Sequence, residues 1–166
     1  INEVYWEQLD FLIVDLPPGT GDVQLSLAQA VPITGAVLVT TPQDVALADA
    51  LKAMNMFKMD SINVPILGVV ENMSWFTPAE LPNNKYYIFG EDGGKKLAKA
   101  AETVLLGRVP IVQAVREGGD EGKPGFLNDD KPAMQKAFDT IAKNLLTQVA
   151  IRAEYLEPTQ VVKIKE

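Results

Sequence analysis

Asp15 closes an apolar run, Phe11-Leu12-Ile13-Val14, and two prolines and two glycines follow it within six residues, in the string VDLPPGTGD. In an open α/β sheet, ligands bind beyond the carboxyl ends of the strands. A carboxylate at such an end can hold a hydrated Mg²⁺ beside nucleotide phosphates, usually through a water. Pro17 and Pro18 stiffen the turn, while Gly19 and Gly21 allow backbone N–H groups to approach a phosphate closely. A helix starting just afterwards would add the partial positive charge of its N-terminus. The plainer alternative is that Asp15 only terminates a strand and Pro-Pro-Gly only makes a turn. So much turn chemistry exceeds what a simple crossover needs.

The rest of the composition narrows the chemistry. The chain of 166 residues is long enough for one domain with a real core, and its apolar (47%) and charged (22%) fractions are those of a soluble globular protein. A net charge of -7 argues against a phosphate-backbone binder, so no nucleic-acid partner is expected. No run approaches the ~20 apolar residues of a membrane span, so no membrane partner is expected and a cytoplasmic location is. There is no cysteine and no histidine. Thiolate metal sites and the commonest general base are therefore excluded within these residues. Carboxylates, backbone amides, lysines, hydroxyls or a bound ligand must supply any chemistry. The chain begins on Ile1, as an excised or processed piece would.

The elements that must position Asp15 read as α/β, a mostly parallel sheet flanked by helices. Buried strands are expected at Phe11 to Val14, Ala36 to Thr40, Ile66 to Val70 and Thr103 to Leu106. Asp22 is placed to cap a helix through Leu25, Leu27, Ala28 and Val31 that Pro32 stops. Thr41 is placed to cap another, with Pro42 at its first position, Asp44 in its first turn and a core stripe of Leu47, Leu51 and Met54. Met54, Met56 and Met59 read as core and surface filler. A third helix is expected from about Gly94 to Glu102. A last one follows Asp130, with Pro132 in its first turn and Met134, Phe138, Ile141, Leu145 and Val149 on one face. Residues 1–150 form the domain, and 151–166 read as a tail or an edge strand.

Five strings in order carry a resemblance: LDFLIVDLPPGTGDVQLSLAQ, TTPQDVALADALKAM, ILGVVENMSWF, YYIFGEDGGKKLA and LLGRVPIVQAVREGGDEGKP. Together, from about residue 2 to about residue 150, they resemble the C-terminal portion of the Mrp/ApbC family of P-loop ATPases, relatives of MinD and the nitrogenase iron protein. The resemblance implies a partial P-loop NTPase fold of the SIMIBI type. It also implies that Asp15 is the Walker B acid ordering the Mg²⁺ shell, and that Gly19 is the switch II glycine whose N–H senses the γ-phosphate. Asn72 matches the asparagine that hydrogen-bonds adenine, and Pro110, Ile111 and Val112 match the segment flanking the base. Taken alone, Asn72 after a strand reads as a turn former.

Two departures limit the resemblance. No glycine-rich loop ending in Lys-Ser/Thr occurs, and Gly93-Gly94-Lys95-Lys96 lacks that spacing. The switch I aspartate is missing as well. The family's paired cysteines, which hold a [4Fe–4S] cluster between two subunits, would fall at Pro78 and Leu81, and neither can ligate iron. The implied function is therefore part of an ATP-binding iron–sulfur cluster carrier or assembly ATPase. ATP and Mg²⁺ would be used in the longer parent, a homodimer serving iron–sulfur apoproteins, with no cluster on this chain. The rival readings are a MinD/ParA-like positioning ATPase and a non-catalytic interaction domain. In the family the P-loop strand lies between the strand at Phe11 to Val14 and that at Ala36 to Thr40. Without it, those two strands are expected to pair directly, or a second chain to fill the gap.

Overall fold

Three short, mostly apolar runs form the sheet, and the central one, buried on both faces, needs no polar alternation. A computed structural model describes residues 3–19, 21–123, 132–157 and 160–161. Within them α1 (Asp22–Ala30) is followed by β1 (Ala36–Thr40), α2 (Asp44–Lys58), β2 (Ile66–Glu71), α3 (Gly93–Ala101) and β3 (Leu105–Arg108). Helices α4 (Gln113–Glu121) and α5 (Pro132–Tyr155) complete the order. The strands are parallel in the order β1-β2-β3, with Leu38 opposite Val69, Thr40 opposite Glu71, and Glu71 opposite Arg108. The fold class is thus α/β, a parallel sheet flanked by helices. Among the described residues no helix is long and apolar enough to cross a membrane.

Side chains alternate across the pleat. Leu38 and Val69 face α2 and α3, where they pack with Leu47, Met54, Leu97 and Ala98. On the opposite face, Val70 and Leu106 pack under Phe138, Ile141 and Leu145 of α5. Asn144 adds a polar tie, its Nδ2 donating to the Leu106 carbonyl at 2.7 Å. Helix α5 packs on β2 and β3, and Val37 of β1 joins the cluster beneath it. Val39, on the same face further along β1, is left 62% exposed. A third cluster of Ala28, Met56, Phe57, Ile62 and Val64 sits at the amino ends of the strands and fastens α1 there. Met54 and Met56 are core, whereas Met59 is 54% exposed, in keeping with their reading as filler.

Several expectations need correction. Phe11 to Val14 forms no strand, and its side chains are exposed, Ile13 to 83%. The direct pairing with β1 is accordingly not made, and β1 has no strand on its outer edge among the described residues. The reason is that a strand exists only through a ladder partner, and the next residues are held elsewhere. Leu16 packs with the Ala28 cluster. Gln24 of α1 donates from Nε2 to the carbonyls of Pro17 (2.9 Å) and Gly19 (3.0 Å).

Helix starts and strand ends also shift. Gly21, not Asp22, is the N-cap of α1, and Asp22 opens the first turn, where its charge still suits the dipole. Gln43, not Thr41, precedes α2, so Pro42 lies outside the helix. Strand β3 starts two residues later than expected because the end of α3 takes Thr103. Glu102 is left-handed at φ 57°, and the Thr103 N–H closes onto the Ala98 carbonyl at 2.9 Å. Helix α5 runs to Tyr155 and so crosses the expected boundary at residue 150. Asp130 and 162–166 lie outside the described residues.

The contact between α5 and β3 depends on Gly107, where an added Cβ would stand 2.5 Å from Ile141 Cγ1. Ile141 is β-branched on a helix and has little χ1 freedom to move aside. Gly107→Val is expected to cost about 1–3 kcal/mol through overpacking. Urea unfolding reads this as a lower midpoint with an unchanged slope. A midpoint equal to that of the unsubstituted chain would show that α5 can slide off the sheet freely.

Candidate functional site

At the carboxyl edge of the sheet, β2 and β3 continue beyond their last ladder pair as two strands of loop. The Val109 N–H donates to the Glu71 carbonyl (2.8 Å), the Ser74 N–H to that of Val109 (3.0 Å), and the Ile111 N–H to that of Trp75 (2.7 Å). Pro110 has no N–H to give, so the residues on either side of it make the bonds. Phe76 pairs with both Tyr86 and Ile111. Asn72 is tied to β1 as well, its N–H donating to the Thr40 carbonyl at 2.8 Å. Asn72, Pro110, Ile111 and Val112 therefore lie on adjoining segments, Pro110 buried and the other three half-buried.

The Asn72 carboxamide is oriented locally. Its Oδ1 accepts from the Met73 N–H at 2.9 Å, which leaves the Nδ2 hydrogens for an external acceptor. Met73 itself is left-handed, with φ 54°. That conformation is uncommon for a residue with a long side chain, and it persists only where the flanks enforce it.

Beneath this edge lies a network that the sequence did not disclose. Glu71 is 1% exposed. Its Oε2 accepts from the Gly94 N–H at 2.7 Å, in the first turn of α3, and its Oε1 lies 3.3 Å from Arg108 Nε. The other end of that guanidinium meets Asp92, which also holds Lys95 at 3.0 Å. The Lys95 hydrogen bond, and after it that of Arg108, hold the Asp92 carboxyl below the usual carboxylate range. Two glycines make the close approach possible. A Cβ on Gly93 would stand 2.6 Å from the Pro42 Cα, and one on Gly94 would stand 2.7 Å from the Glu71 Cβ. Sequence reasoning passed over Glu71 inside ENMS and over Asp92 inside FGEDGG. The available signal was a carboxylate at the end of an apolar strand, the same signal that singled out Asp15.

Asp15 and Gly19 belong to a different group. Asp15 is exposed, Gly19 is left-handed at φ 98°, and the segment is tied to α1 through Gln24. Among the described residues no hydrogen bond joins this group to Asn72 or to 110–112. The structure thus places four of the six expected residues on adjoining segments, leaves Asp15 exposed and ties Gly19 to α1.

The donor set discriminates between ligands. An oriented carboxamide beside apolar residues suits a nucleobase, which needs one or two directed hydrogen bonds and a slot. It does not suit a thiolate-held iron–sulfur cluster, because the chain has no cysteine. Among the described residues no three carboxylates converge as a metal cage. A Mg²⁺ held through one carboxylate and substrate phosphates needs no such cage.

Comparisons with known proteins bear on the family of this chain. The family model described as ParA, NUBPL iron-transfer P-loop NTPase matches residues 1–146. An iron–sulfur cluster carrier protein of Synechocystis is 49% identical over 153 residues, which are 92% of this chain and 43% of that protein. The mouse iron–sulfur cluster transfer protein NUBPL is 46% identical over 149 residues, covering 90% of this chain and 46% of its own length. The chain spans less than half the length of either. Among solved structures, a nucleotide-binding protein of Archaeoglobus fulgidus in complex with ADP superposes with a TM-score of 0.60 at 34% identity, covering 74% of this chain and 49% of that one. The cell division ATPase MinD of Pyrococcus furiosus gives 0.50 at 25% identity, over 69% and 43%. Carried by a model that spans most of its length and by sequence identities near one half, this chain belongs to the ParA/NUBPL iron-transfer P-loop NTPase family.

Proposed function

We propose that this chain is the base-binding and switch-bearing portion of an Mrp-type ATPase that carries or assembles iron–sulfur clusters. The observation that carries the reading is the oriented Asn72 carboxamide beside Pro110, Ile111 and Val112 at the carboxyl edge of a parallel sheet. It is supported by relatives that are named as iron–sulfur cluster carriers and by a structural neighbour solved with ADP. In this reading Asn72 donates from Nδ2 to an acceptor on adenine, and 110–112 provide the apolar wall. Asp15 and Gly19, which this chain holds apart from Asn72, would order the Mg²⁺ shell through a water and register the γ-phosphate only in the longer polypeptide.

Phosphoryl transfer depends on positioning and charge neutralisation. These 166 residues carry no Lys-Ser/Thr phosphate loop, so hydrolysis belongs to a longer polypeptide. There, nucleotide-gated pairing of two cytoplasmic subunits would control the cargo and its delivery to apoproteins. The cluster is cargo, and with Pro78 and Leu81 in place of thiolates its ligands must come from outside this chain. The MinD-like positioning reading has weaker support, since the likeness to MinD is looser than that to the cluster carriers.

Two experiments test this. In a polypeptide extended upstream through a phosphate loop, Mg²⁺-dependent ATP hydrolysis is expected, and Asp15→Asn should lower its rate about tenfold or more. Unchanged turnover in that variant would make Asp15 a mere turn residue. Anaerobic reconstitution of the present chain with iron and sulfide should leave no stable cluster. Stoichiometric iron and sulfide that survive desalting would place cluster ligands on this chain after all.

A further inference from the structure

The geometry points to Glu71 as the positioning residue of the base site, a role that rests on the adenine reading of Asn72 but assigns a group that touches no part of the base. Glu71 is the last residue of β2 and the largest charged side chain withdrawn from water among the described residues. A lone carboxylate at that depth would be untenable. It is stable there because the Gly94 N–H, at the positive end of α3, donates to it, and the Arg108 guanidinium faces it as an ion pair, without a hydrogen bond from Nε.

The consequence for the site is geometric. The Glu71 carbonyl accepts from the Ser74 hydroxyl (2.9 Å) and from the Val109 N–H (2.8 Å). The same peptide unit carries the Asn72 N–H, which donates to the Thr40 carbonyl of β1. Residue 71 therefore anchors one wall of the site through its backbone. Through its side chain it fixes the other, because Arg108 stands two residues before Pro110. Met73, between Asn72 and Ser74, is held left-handed only while both flanks stay in place. With the Glu71 charge pair broken, the turn is free to relax, and the Asn72 carboxamide loses the orientation that its bond to the Met73 N–H records.

The role is separable from a merely structural one. Loss of general stability lowers the affinity for every ligand of the site alike. Loss of carboxamide orientation lowers only the affinity for the base that the carboxamide reads, because a donor aimed at N1 meets an acceptor on adenine but an N–H on guanine. The preference for adenine over guanine is therefore the diagnostic quantity.

The experiment is a titration of the ¹⁵N-labelled chain, as it stands, with AMP and with GMP, followed by amide shifts at Asn72, Ser74 and Ile111. The unsubstituted chain is expected to prefer AMP. Glu71→Gln should weaken AMP about tenfold while leaving GMP unchanged, the size of one lost directed interaction. Arg108→Gln should act in the same direction, and Arg108→Lys should restore part of the preference. If Glu71→Gln does not fold, Arg108→Gln decides alone, because that side chain is only partly buried and leaves Glu71 its bond to Gly94. Full AMP preference in a folded Glu71→Gln or Arg108→Gln chain overturns the positioning role and leaves the adenine site standing. Failure of the unsubstituted chain to bind AMP overturns the adenine reading and this role with it.

Discussion

A carboxylate removed from water governs the arrangement of this protein. Glu71 is fully buried at the end of the central strand, and the electrostatic cost of that position dictates what may surround it. One neighbour must present a backbone donor, which places the start of α3 against β2. Another must carry a fixed positive charge, which Arg108 supplies from the paired position on β3. Arg108 in turn must satisfy its outer nitrogen, and the left-handed turn at Asp92 brings a carboxylate to it. A purely apolar residue at 71 would pack as well, but it would impose none of these directions.

Glycines make the arrangement sterically possible. Gly93 lets α3 touch the backbone of Pro42, and Gly94 lets it touch Glu71 itself. Gly107 does the same on the opposite face, beneath Ile141. The sheet is thin, and the helices lie close on it because three positions carry no Cβ. The polar junction and the two apolar clusters on either side of the sheet therefore share one set of contacts.

How far the sequence foretold this depends on whether a feature is local. Strands β1 and β2 were legible because a short, β-branched apolar run with turn residues at each end has few other uses. The stripe of α5 was legible because Phe138, Ile141 and Leu145 recur at helical spacing. Phe11 to Val14 has the same local pattern as β1, yet it forms no strand, since a strand depends on a partner that no local pattern reports. Helix α4 was missed because Gly118, Gly119 and its charged residues give it little apolar periodicity. The Glu71, Asp92 and Arg108 network was illegible for a different reason. Its members lie far apart in the chain, and only the parallel pairing of β2 with β3 and the seating of α3 bring them together. Asn72 and 110–112 were singled out through resemblance, not periodicity.

The Gln24 side chain has a further consequence. By donating to two carbonyls of the loop, it makes residues 17–19 part of α1 in mechanical terms. A free glycine-bearing loop samples its conformations in nanoseconds to microseconds. A loop stapled to a helix that is itself packed through Ala28 can shift only by releasing both bonds or by carrying the helix along. Such collective displacements belong to the microsecond-to-millisecond range. A single glutamine thus sets the clock of this segment, converting a fast, local flicker into a slower movement of the whole α1 layer.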